Sequence, residues 1–449
     1  MKKTLPPESS VPSGRLSRLA SLGKFATGVA GSMLSQGVQQ MASGTRPGAR
    51  DLLLTPANIQ RLAQQLSEMR GAAMKVGQLL SMDGGDVLPP ELTKILSQLR
   101  ADAKPMPRNQ LLNTLKRSWG SDWEKHFAHF SFTPMAAASI GQVHLARLHD
   151  GTELAVKVQY PGVRQSIRSD IDNIAMMLRL SNLLPRKVDV SPLLEEAKRQ
   201  LQEEADYLKE AQHINRYQAL LGDSPDFAMP SVLDRWTTRD VLTMTYVPGK
   251  PLESLKKATQ PERDRVMTAL ADLLFRELFC FNCMQTDPNF ANYLYDASSG
   301  KVVLLDFGAT RSFEPARVAA YRELMRAGMH DDLPAMQAAA QSVGYFSSAT
   351  KAEHVELVLK ILMAASEPLR HEGPYPCGKL ALGKRMNESA SVLSADRSYA
   401  EVTPAEIVFL HRKIGGIYML AIQLGARVDF AGLFKSYAKA SSPEASPAT

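Results

Sequence analysis

The spacing of apolar and polar positions divides the 449-residue chain into stretches of different period. From 52 to 116 apolar residues recur every three or four positions, which predicts helices. The segment "TPANIQRLAQQLSEMRGAAMKVGQLLSM" opens on Thr55-Pro56, a cap followed by a proline at the first helical position. Gly84-Gly85 and Pro89-Pro90 break the pattern before "ELTKILSQLR" opens another helix. From Phe132 the period falls to two, and "SIGQVHLARLHDGTELAVKVQY" reads as two strands joined at Asp150-Gly151. Helical spacing returns from about Gln165 to Ser181 and from Ser191 to Ala219, and a second hairpin is expected near Trp236 to Tyr246. Beyond Pro261 helices predominate, interrupted by "NYLYDASSGKVVLLDFG", two short strands about a glycine turn. A sheet-bearing part followed by a helical part is an α+β arrangement.

Composition changes this picture little, whereas the location of charge changes it more. With 44% hydrophobic and 22% charged residues the chain is ordinary globular protein. Of the net charge of +7, residues 1–50 supply +6: Lys2, Lys3, Arg15, Arg18, Lys24, Arg46 and Arg50 stand against Glu8. The rest is nearly neutral, which argues against a nucleic-acid groove. In the arm, Leu19, Leu22, Phe25 or Ala26, Val29 and Met33 share one helical face, which suits a membrane surface, a transit segment or a solvated arm packing one stripe on the domain. No secretory signal is expected after Met1-Lys2-Lys3, because Pro6, Pro7 and Glu8 stand where its apolar core would begin. The stretch "IGGIYMLAIQLGA" is read as too short for a transmembrane span. Three cysteines favour a reducing compartment, and Cys280 and Cys283 are expected to be small apolar residues on a core helix rather than metal ligands.

The candidate chemistry lies in an ordered series. "PMAAASIGQV" aligns with the phosphate-covering pattern G-x-G-x-x-G-x-V, with Ala136, Ala138, Gly141 and Val143 at its fixed positions and Ala137 and Ser139 between them. "LAVK" then places Lys157 on a strand, where it could pair phosphates and a helix carboxylate. "EEADYLKEA" offers Glu203, Glu204, Asp206 and Glu210 on one helix. "TDPNFAN" spaces Asp287 and Asn292 as in a kinase catalytic loop, and "LLDFG" supplies Asp306 after a strand. Taken singly, each has an ordinary explanation: an inward lysine satisfying a carboxylate, a solvated acidic face, a turn tripeptide. The joint order points to a kinase-like nucleotide site in which Asn292 and Asp306 present hard oxygens to Mg²⁺ and Asp287 orients or deprotonates an attacking oxygen. Gln285-Thr286 replace the usual His-Arg, no A-P-E follows, and only "FGATRSFEP" separates Asp306 from the next helix. A conventional protein kinase, with its long activation segment, is therefore disfavoured.

The combination of "MKVGQLLS" (K-x-G-Q at Lys75, Gly77 and Gln78), "AAASIGQVH", "AVKVQYPGV", the E-x-D of Glu204 and Asp206, "TDPNFAN" and "LLDFG" closely resembles the UbiB family of atypical kinases, also called aarF-domain-containing kinases. The resemblance covers roughly residues 50 to 435 and looks most like the coenzyme-Q-supporting members without C-terminal membrane helices. It implies a two-lobed protein-kinase-like fold with a helical extension packed over the active site, Lys75 reaching the E-x-D carboxylates. The divisions expected are an arm at 1–50, the K-x-G-Q extension at 51–130, an N-lobe at 131–250, a C-lobe at 251–440 and a tail at 441–449. Further implications are ATP or ADP with Mg²⁺, a stiffer alanine-rich loop favouring ADP, and an ATPase or small-molecule kinase supporting ubiquinone biosynthesis. The partners implied are a quinone-precursor lipid or membrane surface and biosynthetic enzymes. A non-catalytic scaffold is the contrasting possibility, a homodimer is a candidate state, and the compartment is bacterial cytoplasm facing the inner membrane or the mitochondrial matrix.

Overall fold

The computed structural model describes residues 23, 27, 56–82, 105–180, 191–378, 382, 386 and 404–439. Apart from Gly23 and Thr27, the amphipathic arm lies outside them, as do the Gly84–Pro90 break, "ELTKILSQLR" and the tail. By internal contacts the chain forms two units: one runs to Asn215 and takes in Pro230–Tyr246, and the other comprises Arg216–Met229 and the chain from Val247.

In the first unit, helices α1 (Pro56–Glu68), α2 (Arg70–Met82) and α3 (Arg108–Trp119) precede the strands β1 (Phe127–Phe130), β2 (Ala136–Ala137), β3 (Gly141–Leu148) and β4 (Glu153–Gln159). Helices α4 (Val163–Leu180) and α5 (Ser191–Glu204) follow, then α6 (Tyr207–Leu221), whose residues from Arg216 on belong to the second unit. The chain then forms β5 (Phe227–Ala228) in the second unit and returns with β6 (Val241–Thr245) to complete an antiparallel sheet of order β1-β3-β4-β6, with β2 on β3. Gly151, at φ +90°, makes the β3–β4 turn where Asp150-Gly151 predicts it. Apolar side chains from alternate strand positions, Ala146, Leu154, Val156, Val158 and Val241, bury with Trp123, Phe127 and Trp236 in one core.

Two expectations need correction in this unit. The hairpin near Trp236 to Tyr246 has one ladder strand only: β6 pairs with β4, and the segment before it makes a single bridge, Val232 with Met244. The helix expected from Ser191 to Ala219 breaks at Ala205-Asp206. Asp206 starts α6 by accepting from Lys209 N at 3.3 Å, and a side chain that caps one helix cannot continue another.

The second unit continues with β7 (Lys250–Pro251), α7 (Gln260–Phe279), β8 (Cys283–Gln285), β9 (Tyr293–Asp296), β10 (Lys301–Leu304), β11 (Thr310–Ser312) and α8 (Pro315–Met329). Then come α9 (Leu333–Val343), α10 (Ala352–Ala365), α11 (Glu367–Arg370), β12 (Tyr375–Pro376), α12 (Ala405–Leu424), β13 (Arg427–Val428) and α13 (Phe430–Ala438). Helix α7 is buried along most of its length and packs on β8, α12 and α13. The cysteines are not on a core helix: Cys280 caps the end of α7 and is exposed, while Cys283 is buried in β8. Among the described residues one helix, α12, is long and apolar enough to cross a membrane, which corrects the length argument. Its central Arg412 and Lys413 are ion-paired within the unit, the behaviour of a core helix.

Candidate active site

The first unit organises its half of the constellation by sheet register. Ala136 pairs with Val143, Val143 with Lys157 and Lys157 with Leu242, so these four form one cross-strand row. Lys157 Nζ donates to both Glu210 carboxylate oxygens, at 2.9 and 3.0 Å. Both residues are buried, and the lysine lies 5.2 Å from the Tyr207 ring centroid. A chelated, buried ammonium is fixed in place rather than free to snorkel.

The alanine-rich loop is a short β-hairpin: β2 pairs with β3, and Ala138 N donates to Gly141 O at 2.9 Å. No residue from Ala136 to Ser139 has positive φ, so this backbone does not need glycine at the alanine positions. Gly141 is needed for another reason. A Cβ there would lie 2.3 Å from the Val158 carbonyl oxygen and 3.0 Å from the Tyr207 hydroxyl.

Helix α2 holds this loop from the other side. Gly71 lets it approach, since a Cβ there would be 2.4 Å from Ser139 O. Glu204, at the end of α5, accepts from Lys75 Nζ and, at 3.0 Å, from Ser139 Oγ. Lys75 is 4% exposed, so the K-x-G-Q lysine is sequestered in this pair. Gly77 is buried on the same helix; the Gln78 side chain lies outside the described residues. Asp206 does not share Glu204's helix, as noted above.

The second unit gathers its residues at matching strand ends. Gln285 of β8 pairs with Thr310 of β11, and Thr286 donates through N (3.0 Å) and Oγ1 (2.7 Å) to Ala309 O. Tyr293 of β9 pairs with Leu304 of β10, and Leu305 N donates to Asn292 O at 3.1 Å. Asp287, Asn292 and Asp306 therefore emerge from ladders tied to one another. Asn292 Nδ2 donates to the Asp287 carbonyl at 2.8 Å, which leaves its amide oxygen as the atom suited to a cation. Asp306 Oδ1 accepts from Gly308 N at 3.0 Å, and Phe307 is buried with its ring centroid 4.8 Å from that of Tyr217.

Sequence reasoning missed Arg412. From α12 it donates Nη2 to Asp287 Oδ1 at 2.5 Å, 125 residues away in sequence. Gly416, one turn on, lets α12 meet the loop, because a Cβ there would be 2.0 Å from Pro288 Cγ. Next to it Lys413, 2% exposed, pairs with Glu277 Oε2 at 3.1 Å and reaches Tyr293 Oη at 3.3 Å. Tyr217 Oη donates to Glu277 Oε1 at 2.9 Å. Burial raises the Glu277 pKa against the pull of Lys413 and pushes the Tyr217 hydroxyl well up. Two charges in the middle of an apolar helix must find partners, and that was the sequence signal for Arg412 and Lys413.

Comparison with known proteins identifies the family. Residues 98–340 match the ABC1 atypical kinase-like domain. The chain is 37% identical over 441 residues to the atypical kinase COQ8, mitochondrial, of Saccharomyces cerevisiae, covering 97% of this chain and 87% of that protein. It is 37% identical over 434 residues to the atypical kinase COQ8B, mitochondrial, of Rattus norvegicus, covering 95% and 81%. Among solved structures, Rv3197 of Mycobacterium tuberculosis, described as a complex with erythromycin, shares the fold with a TM-score of 0.58 and 26% identity over 82% of this chain and 92% of that one. With a kinase-like fold, a lysine–carboxylate pair in one unit and the D-x-x-x-x-N and D-F-G loops in the other, the chain belongs to the ABC1 (UbiB, aarF-domain-containing) family of atypical kinases.

Proposed function

We propose that this atypical kinase binds ATP or ADP with Mg²⁺ and turns ATP over as an ATPase that supports ubiquinone synthesis at a membrane surface. The observation that carries it is the bidentate Lys157–Glu210 pair, which poises an ammonium for nucleotide phosphates. Asn292 and Asp306 offer the oxygen donors that Mg²⁺ prefers, and the bound cation would neutralise phosphate charge. Arg412 holds the Asp287 carboxylate in position to orient the attacking oxygen. The Glu204 clamp on Lys75 and Ser139 keeps the alanine-rich loop closed down by the extension at 51–130, which disfavours a peptide substrate. The lobes follow as 131–250 and 251–440, with the arm at 1–50 serving the lipid surface. The relatives' names favour the mitochondrial compartment over the bacterial membrane face.

Phosphoryl transfer to a small molecule or lipid headgroup uses the same residues. It is favoured by the eight residues, 307–314, that separate Asp306 from α8, too few for a peptide platform. The test is thermal stabilisation by nucleotide with and without Mg²⁺, followed by phosphate release with and without anionic liposomes, in the native chain and Asp306→Asn. Stabilisation by Mg²⁺-nucleotide that the variant loses, with liposome-stimulated release, supports the ATPase. Stabilisation without release, unchanged by liposomes, leaves a nucleotide-sensing scaffold.

A further inference from the structure

Helix α12 has two functional faces. Arg412, Lys413 and Gly416 serve the catalytic loop, whereas His411 and Gly415 border a cavity of about 460 Å³ inside the second unit. Its walls are apolar, with Leu278, Leu324, Val358 and Leu362 among them, and the volume lies in the range of roughly 300–1,000 Å³ that small ligands occupy. Gly415 is exposed to this space: a Cβ there would meet no atom within 4 Å. Glycine inside a helix costs stability, so its presence where it is sterically unneeded keeps volume open.

Besides Ser366 and Tyr418, the lining holds one cluster of polar side chains. Tyr321 Oη lies 2.6 Å from Tyr345 Oη and 3.0 Å from His411 Nε2, and Tyr345 Oη also bonds His411. Two hydroxyls and an imidazole in mutual contact can both donate to and accept from one further group. No Asp, Glu, Lys or Arg lines the cavity among the described residues. The two hydroxyls and the imidazole offer a hydroxyl or carbonyl head its hydrogen bonds.

We propose that this cavity is a binding site for an uncharged apolar molecule bearing a single hydroxyl or carbonyl head, the chain lying among the leucines and the head at Tyr321, Tyr345 and His411. The site is independent of the nucleotide reading, and its test contains no nucleotide. Decanol and decanoate, equal in chain length, are titrated into the full-length protein at pH 7.5 by calorimetry and thermal shift. Decanol is expected to bind and raise the melting temperature, with decanoate at least about tenfold weaker.

Two variants locate the site. Gly415→Leu fills open space, so the protein should stay folded and lose decanol binding. Tyr345→Phe should weaken decanol about five- to tenfold by removing one hydrogen bond. The proposal is overturned if decanol fails to bind or lowers the melting temperature, if decanoate binds as well, or if folded Gly415→Leu retains native affinity.

Discussion

The two units hold their charged site residues in different ways. In the first, Lys157 and Glu210 are 53 residues apart, on a strand and a helix of the same unit, and the pair is mostly buried, with 11% of the lysine side chain exposed. In the second, Asp287 is held by Arg412 across 125 residues and remains partly open, with 22% of its side chain exposed. A buried, chelated pair fixes a cation in one place, whereas an arginine on a partly open carboxylate orients it and leaves it reachable. The first arrangement suits binding and the second suits chemistry, which is why they should respond differently to substitution.

The largest separation is expected from Asp287→Asn. Phosphate release should fall by about 10²–10⁴-fold, the range for loss of a positioned acid–base group, while Mg²⁺-nucleotide stabilisation persists. Loss of that stabilisation as well would mean that Asp287 is part of the binding half. Lys413→Met attacks stability instead. It strands Glu277 without its cation, and urea unfolding should show a loss of about 3–5 kcal/mol. A loss below about 1 kcal/mol would show that Tyr217 and the Gln285 backbone N–H satisfy the carboxylate without the lysine.

Acid tests the first unit. Buried His144 bonds the Ser131 carbonyl through Nδ1 and the Gln142 amide through Nε2, and burial lowers its pKa to about 4. The folded value lies below the unfolded one of about 6.5, so the unfolded chain binds the proton first. Stability is then complete above pH 6.5 and lost as pH falls toward 4, by about 2 kcal/mol at pH 5. His144→Gln should flatten that slope in urea titrations at pH 7 and 5; an unchanged slope would assign the acid lability elsewhere. The smallest effect belongs to Arg412→Lys, which keeps the charge but not the planar fork. Turnover should drop by about tenfold with nucleotide affinity unchanged, and a drop in affinity instead would make Arg412 a ligand contact.

Much of this was legible in the sequence because it is local. The period-two strands, the Asp150-Gly151 turn, Lys157 on its strand, D-x-x-x-x-N and D-F-G follow from side-chain alternation and short-range spacing. Even there, local signals misplaced the Ser191–Ala219 helix, since helical periodicity persists through Ala205 while Asp206 caps. The cysteines were misplaced for a similar reason, because α7 ends at Phe279 and Cys283 enters a three-residue strand.

By itself, then, the sequence determined the α+β class and the chemical types at the site, both set by interactions a few residues long. Tertiary structure alone decided that Arg412 anchors Asp287, that Glu204 takes Ser139 in addition to Lys75, and that Gly415 faces open space while Gly416 meets Pro288. Each of these depends on which surface of a helix meets which distant backbone. That choice is made by packing of the whole unit, and no window of sequence contains it.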